Sequence, residues 1–143
     1  MSLTLAQASQ IIESALAHAA TAGFDPLTIA VLDAGGHLVA FKREDNSGIL
    51  RPEIAIGKAY GALGFGLDGR DLKGKNATFL SAVAAASGGK MVPVPGGVLI
   101  RDMQTQAIIG AVGISGDNSG NDELAAIAGI ESAGLAVTPS LKN

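Results

Sequence analysis

Two pairs of apolar runs, each joined by a connection too short to cross a sheet, constrain this chain most. In the second pair, Val98–Asp102 and Ala107–Ser115 are separated only by Met103-Gln104-Thr105-Gln106. In the first, Leu27, Ile29 and Val31 alternate with smaller partners. Asp33-Ala34-Gly35-Gly36 then gives a hairpin signal, and Leu38, Ala40 and Phe41 resume the apolar pattern. A parallel crossover needs a dozen or more residues. Both pairs are therefore antiparallel, and helices must cover the sheet they form.

Helical signals fill the remaining length. From Leu5 to Ala22, Ala8, Ile11, Ile12, Ala15, Leu16 and Ala19 follow helical spacing. Thr4 is placed to cap this helix and Gln7 to complete a capping box, with Gly23 as the stop. Pro52 opens a second helix that runs through Ile54, Ala55, Ile56, Ala59, Tyr60 and Leu63 to about Phe65. Gly57, Gly61 and Gly64 share a face of it. Glycine costs helix stability, so this face is expected to touch the sheet or another subunit closely. Asp68 to Lys75 is a charged, Gly-rich connector. Asn76 caps a third helix, Ala77–Ala86, ended by Ser87-Gly88-Gly89. Asp117 or Asn118 leads to a last helix, Glu123–Ala133, stopped by Gly134. The order α-β-β-α-α-β-β-α predicts an α+β sandwich, with an antiparallel sheet flanked by helices. At 143 residues, without internal repeat or linker, residues 1–143 read as one domain.

Hydrophobic residues make up 48% of the chain and charged residues 16%, with no Trp, four Phe and one Tyr. The core is thus built from Ala, Val, Ile and Leu. A domain this apolar, with few charges to cover it, is expected to hide surface in an oligomer. The net charge is −3 and there is no basic run, which argues against nucleic acid and anionic membrane as partners. The absence of Cys excludes disulfides, thiolate catalysis and Cys-ligated zinc or iron–sulfur sites. Met1-Ser2-Leu3-Thr4-Leu5 has no secretory pattern, so the expectation is a cytoplasmic protein.

Gly64-Phe65-Gly66-Leu67-Asp68-Gly69 spells G-x-G-x-x-G, but it follows a helix and enters a loop. A dinucleotide site needs a strand before it and a helix after it. Pro95-Gly96-Gly97 sits at a strand entry. It either leaves backbone N–H groups open to an anion or a flat ligand, or makes a tight bend. Arg43, Arg51, Glu53 and Lys58 cluster about the start of the second helix. They are either a solvated face or a site in which Arg51 and the helix dipole attract a carboxylate. His18 lies at the edge of the first helix's apolar stripe, as a surface residue, a subunit contact or a haem axial ligand. His37, just after the Gly-Gly turn, is expected to be exposed. Asp33, Asp117 and Asp122 sit at element ends, where Asp caps helices and closes turns. No Ser-His-Asp arrangement is readable, and no catalytic residue is assigned.

Taken together, four stretches carry a family pattern. They are Val31-Leu32-Asp33-Ala34-Gly35-Gly36-His37-Leu38-Val39-Ala40-Phe41-Lys42-Arg43, Pro93-Val94-Pro95-Gly96-Gly97-Val98-Leu99-Ile100-Arg101-Asp102, Ile108-Ile109-Gly110-Ala111-Val112-Gly113-Ile114-Ser115-Gly116-Asp117, and Asn121-Asp122-Glu123-Leu124-Ala125-Ala126-Ile127-Ala128-Gly129. The chain resembles the GlcG/HbpS family of small haem-linked and ligand-binding domains, also found as the C-terminal domain of PduO-type proteins. The resemblance runs through nearly the whole chain. It implies a profilin-like sandwich and a glycine-rich loop, here Pro95-Gly96-Gly97, beside a pocket between sheet and helices. It also implies a haem-ligating histidine on the first helix, here His18, and a homo-oligomer from dimer to octamer. The expected function is a cytoplasmic, oligomeric domain that binds haem or a related small ligand. His18 would hold the cofactor, and Arg43, Arg51, Glu53, Lys58, Pro95, Gly96 and Gly97 would line the site. The alternative is a small enzyme acting on a small carboxylate or aromatic acid. Its pocket would be formed by Arg51, Glu53, Lys58 and the Gly96-Gly97 loop, with Glu53 or Asp33 moving a proton.

Overall fold

Capping starts the first helix where the spacing predicts. In the computed structural model, which describes residues 2–142, α1 spans Leu5–Ala22. The Gln7 N–H donates to Thr4 Oγ1 at 3.0 Å, and the Thr4 N–H donates to Gln7 Oε1 at 3.0 Å. The chain continues through β1 (Thr28–Asp33), β2 (Leu38–Arg43), α2 (Arg51–Phe65), a 3-10 helix (Gly69–Gly74), α3 (Ala77–Ala86), β3 (Gly97–Arg101), β4 (Ile108–Ser115), α4 (Ser119–Ser132) and a final 3-10 turn (Pro139–Lys142). The four strands form one antiparallel sheet in the order β2-β1-β4-β3. This is the α+β order read from the sequence. The last helix begins four residues earlier than its apolar pattern. Asn118 Oδ1 accepts the Asn121 N–H at 2.8 Å, and this cap recruits Ser119-Gly120-Asn121-Asp122 into the helix. No helix among the described residues is long and apolar enough to cross a membrane.

The two faces of the sheet are covered differently. α1 and α4 lie on one face, with Ile11, Ile12 and Ile130 packed against Ile29, Val31 and Ile100. α2 lies on the other face over β1, β4 and β3, and packs Ala59 and Ala62 against Leu32, Leu99 and Ala111. Gly97 and Gly113 are cross-strand partners beneath it. A Cβ on Gly113 would stand 1.8 Å from the Ala55 carbonyl oxygen, and one on Gly97 2.2 Å from that of Lys58. The α2 backbone thus rests directly on the strands.

The glycines of α2 itself do something else. Gly57 and Gly61 face Met91-Val92, in the segment after α3, and the Val92 N–H donates to the Gly57 carbonyl at 2.9 Å. Gly64 has nothing within 4 Å of where a Cβ would be. At Gly57 and Gly61 the close contact of this face is with a loop rather than with the sheet. The strand glycines occupy the sheet side, which leaves the helix glycines to the outer side.

Antiparallel pairing also sets where the ends fall. β1 and β3 begin, and β2 and β4 end, at the same end of the sheet. α1 delivers the chain there, and α2 and α4 depart from it. We call this the Arg51 end. The β1–β2 and β3–β4 turns form the opposite, hairpin end.

Candidate functional site

Thr28, Arg43 and Ser115 stand side by side across β2, β1 and β4 on the α2 face of the Arg51 end. Thr28 Oγ1 and Ser47 Oγ are 2.7 Å apart, and Arg43 Nη1 donates to the Ser47 carbonyl at 2.8 Å. Arg51, half-buried, donates from Nη1 to Ser115 Oγ at 3.0 Å. Each guanidinium is therefore oriented by one internal bond and keeps further donors for a ligand. α2 starts at Arg51 with Pro52 in its first turn and no side-chain cap, which adds the positive helix end to both arginines. Glu53 is exposed in the first turn of α2.

Lys58 is not part of a solvated face. It falls on the Ala55, Ala59 and Ala62 stripe of α2 and so points at the protein interior, 4% exposed. Its Nζ donates to the Ile114 carbonyl at 2.8 Å and to Asp122 Oδ2 at 3.3 Å. Asp122, 1% exposed, also accepts the Asp117 N–H on Oδ1 at 3.0 Å. Burial pushes the Lys58 pKa down against the pull of Asp122, and burial pushes the Asp122 pKa up against the pull of Lys58. This pair ties α2 to the first turn of α4. The signal for it was the position of Lys58, three residues after Ala55 and four before Ala62 on one helix face.

Pro95-Gly96-Gly97 closes over this lysine. A Cβ on Gly96 would lie 2.7 Å from Lys58 Nζ, and the Gly96 carbonyl accepts the Ile114 N–H at 3.1 Å. Both glycines are buried. Pro95 faces outward, into an open hollow of about 310 Å³ that it shares with Lys73, Ser119 and Gly120 and with the paired Arg70 and Glu123.

His18 shares the Arg51 end but lies on the opposite face, because α1 covers the other side of the sheet. It is half-buried, with its ring edge-on to Phe24 at 5.8 Å between centroids. The structure thus sets Arg43, Arg51, Lys58 and the Pro95-Gly96-Gly97 loop on the α2 side, with Glu53 exposed on the helix itself and Pro95 opening onto a separate hollow, and sets His18 apart from them.

Iron in a haem needs an imidazole, thiolate, thioether or phenolate donor. His18, His37 and the half-buried Tyr60 supply two of these chemistries, so the residues present fit the group. No group of three or more metal-ligating side chains occurs among the described residues.

The second imidazole lies at the hairpin end. His37 Nδ1 is 3.1 Å from Asp33 Oδ1, which also accepts the N–H groups of Gly35 and His37, each at 3.0 Å. The His37 backbone N–H leads the interactions that hold the Asp33 carboxyl below its usual pKa. In sequence Asp33 reads as a turn-closing residue and His37 as an exposed imidazole. Their spacing of four across a Gly-Gly turn is the signal that joins them.

A family model described as haem degrading protein HbpS-like matches residues 3–131. The chain is similar in structure to a PduOC–haem complex, with a TM-score of 0.84 at 22% identity over 95% of this chain and 98% of that one. Klebsiella pneumoniae protein ORFY gives 0.80 at 22% identity, over 92% of this chain and 90% of that one. HbpS gives 0.75 at 25% identity, over 92% and 89%. No curated protein sequence matches the chain.

Proposed function

We propose that this chain, which belongs to the HbpS-like family of haem degrading proteins, binds haem at the Arg51 end and works as a homo-oligomer. The observation that carries this reading is the family match across residues 3–131, in a chain that keeps imidazole donors and two arginines that meet no carboxylate among the described residues. The similar PduOC structure is a haem complex. In this reading His18 ligates the iron. Arg51 and Arg43 hold the propionates with Glu53 at the rim, and Lys58, Pro95, Gly96 and Gly97 form the wall behind them. His18 and the arginines lie on two faces, so the ligand spans the end of the sheet or is shared with a second copy. One sheet carries both helical layers, which supports a single domain over residues 1–143. The unpaired β2 edge, with Leu38 and Phe41 exposed and Ile49 89% exposed nearby, supports self-association. The small-acid enzyme is less well supported, because Lys58 is already committed to Asp122 and Ile114.

The test is a titration of the purified chain with ferric haem, followed by the Soret band. A shifted, saturable band is expected. Charge-assisted hydrogen bonds contribute about 1.5–3 kcal/mol, so Arg51→Ala should weaken binding at least about tenfold with little loss of stability. His18→Ala should lower the haem bound at saturation. No Soret shift with the unaltered chain would overturn the reading. Sedimentation as a monomer at micromolar concentration would remove the oligomer.

A further inference from the structure

An arginine that takes a carboxylate from a ligand needs its charge unspent and its fork held in one direction. Arg70 shows the opposite case in this chain. Its fork is spent on the Glu123 carboxylate, which Nε meets at 3.1 Å and Nη2 meets as well. Arg51 is held by a neutral oxygen instead. Its Nη1 donates to Ser115 Oγ at 3.0 Å, and no carboxylate among the described residues pairs with it. The bond directs the guanidinium and leaves it the whole positive charge.

Ser115 is a fixed post. It is 0% exposed and stands opposite Thr28 of β1. The residue before it, Ile114, is gripped from two sides. Its N–H donates to the Gly96 carbonyl at 3.1 Å, and its own carbonyl accepts from Lys58 Nζ at 2.8 Å. Lys58 is anchored in turn to Asp122 at 3.3 Å. The buried ion pair and the glycine loop thus converge on the peptide that carries Ser115. Arg43 is held in another way, because it leans on the Ser47 backbone carbonyl at 2.8 Å, which any residue type would supply. Of the two arginines, only Arg51 takes its direction from a side chain.

We propose that Ser115 is a positioning residue for the ligand's carboxylate: its hydroxyl aims Arg51 at a propionate without neutralising it. Being fully buried, Ser115 does not touch the ligand and acts only through the guanidinium. The proposal rests on the haem reading above and adds to it the residue that makes the site select a free carboxylate over a neutral ester. It also gives the Lys58–Asp122 pair a part in the site, since that pair keeps the end of β4 still.

The experiment titrates the full chain with ferric haem and, separately, with ferric haem dimethyl ester, which keeps the ring and the iron but carries no carboxylate. The unaltered chain is expected to favour haem at least about tenfold. Ser115→Ala removes one oxygen. It should weaken haem binding about two- to tenfold and leave the affinity for the ester unchanged. In an Arg51→Ala background the same substitution should add nothing to the loss already present. If Ser115→Ala leaves haem affinity unchanged, weakens haem and ester alike, or repeats its full effect in the Arg51→Ala background, the positioning role is overturned, although haem binding stands. If the unaltered chain binds haem and ester equally, no carboxylate reaches Arg51 and the proposal falls while haem binding stands. If the unaltered chain binds no haem, the underlying reading fails and this proposal with it.

Discussion

The two faces of the sheet are filled with opposite materials. Toward α1 and α4 the filling is branched aliphatic side chains, Ile11, Ile29, Ile100 and Ile130 among them. Toward α2 it is Ala59, Ala62, Ala111, backbone and a buried ion pair around only two large aliphatics, Leu32 and Leu99, with Gly97 and Gly113 beneath. An aliphatic layer answers a volume change by shifting rotamers, at moderate cost. A helix backbone resting on a strand backbone has no rotamer to shift. The α2 face should therefore be brittle and the α1–α4 face tolerant.

The largest test of that contrast is Gly113→Val. With the first added carbon 1.8 Å from the Ala55 oxygen, no folded protein is expected by circular dichroism. Even Gly113→Ala should cost about 3 kcal/mol or more. A Gly113→Ala protein melting within a few degrees of the parent would show that α2 can lift away, and the contrast would collapse.

Next comes Lys58→Met, which leaves Asp122 buried without its cation and should cost about 3–5 kcal/mol. Combining it with Asp122→Leu should recover most of that loss, since removing both charges removes the uncompensated one. The single variant has a signed pH dependence. Without Lys58, burial raises the folded pKa of Asp122 still further above its unfolded value. Stability is then greatest at low pH, where the carboxyl is protonated, and falls as pH rises through the folded pKa. Urea unfolding across pH measures this, and a flat profile would show that Asp122 reaches solvent.

On the tolerant face, Ile11→Val and Ile130→Val should each cost only about 0.5–1.5 kcal/mol by the same unfolding measurement. A larger loss would erase the distinction from the other side. The smallest effect expected is at Asp117, outside both layers. The N–H of Asp25 first, then that of Asn118 and the side chain of Asn121, hold its pKa below the usual carboxylate value. A depressed folded pKa gives stability that is present above the ordinary value of 3.8 and is lost as pH falls through the folded one. Asp117→Asn should flatten that acid limb through a small loss at neutral pH, with stability at low pH nearly unchanged.

How much of this was legible depends on what carries each feature. The order of elements was readable because local chemistry carries it: Thr4 and Gln7 at one cap, Asn76 at another, and two turns too short for a crossover. The start of α4 was not, because Ser119, Gly120 and Asp122 are weak helix formers that only the Asn118 cap brings in. The gathering of Arg43, Arg51 and the Pro95 loop at one end follows from strand direction and was half visible. The burial of Lys58 was signalled by its place on the Ala55 and Ala62 face, but its partner was not, because a lysine in sequence carries no sign of the Asp122 carboxylate that meets it 64 residues later. The glycines misled in an instructive way. Those on α2 looked like the close contact with the sheet or another subunit, whereas the close contact with the sheet belongs to Gly97, which in sequence reads as part of a loop, and to Gly113, which looks like an ordinary residue of an apolar strand.

Those two glycines face each other across β3 and β4, and this gives the assembly of the fold a proofreading step. A slip of one residue in either strand turns every side chain to the other face. It would bring Val98 or Val112 under α2, where not even a methyl group fits. The helix can then seat only on a correctly zipped hairpin, and misaligned forms are rejected by its failure to dock. Insertions should divide the same way. An extra residue between Gly97 and Arg101 would be rejected as a misfold, whereas one added among Met103, Gln104, Thr105 and Gln106 would only lengthen a turn.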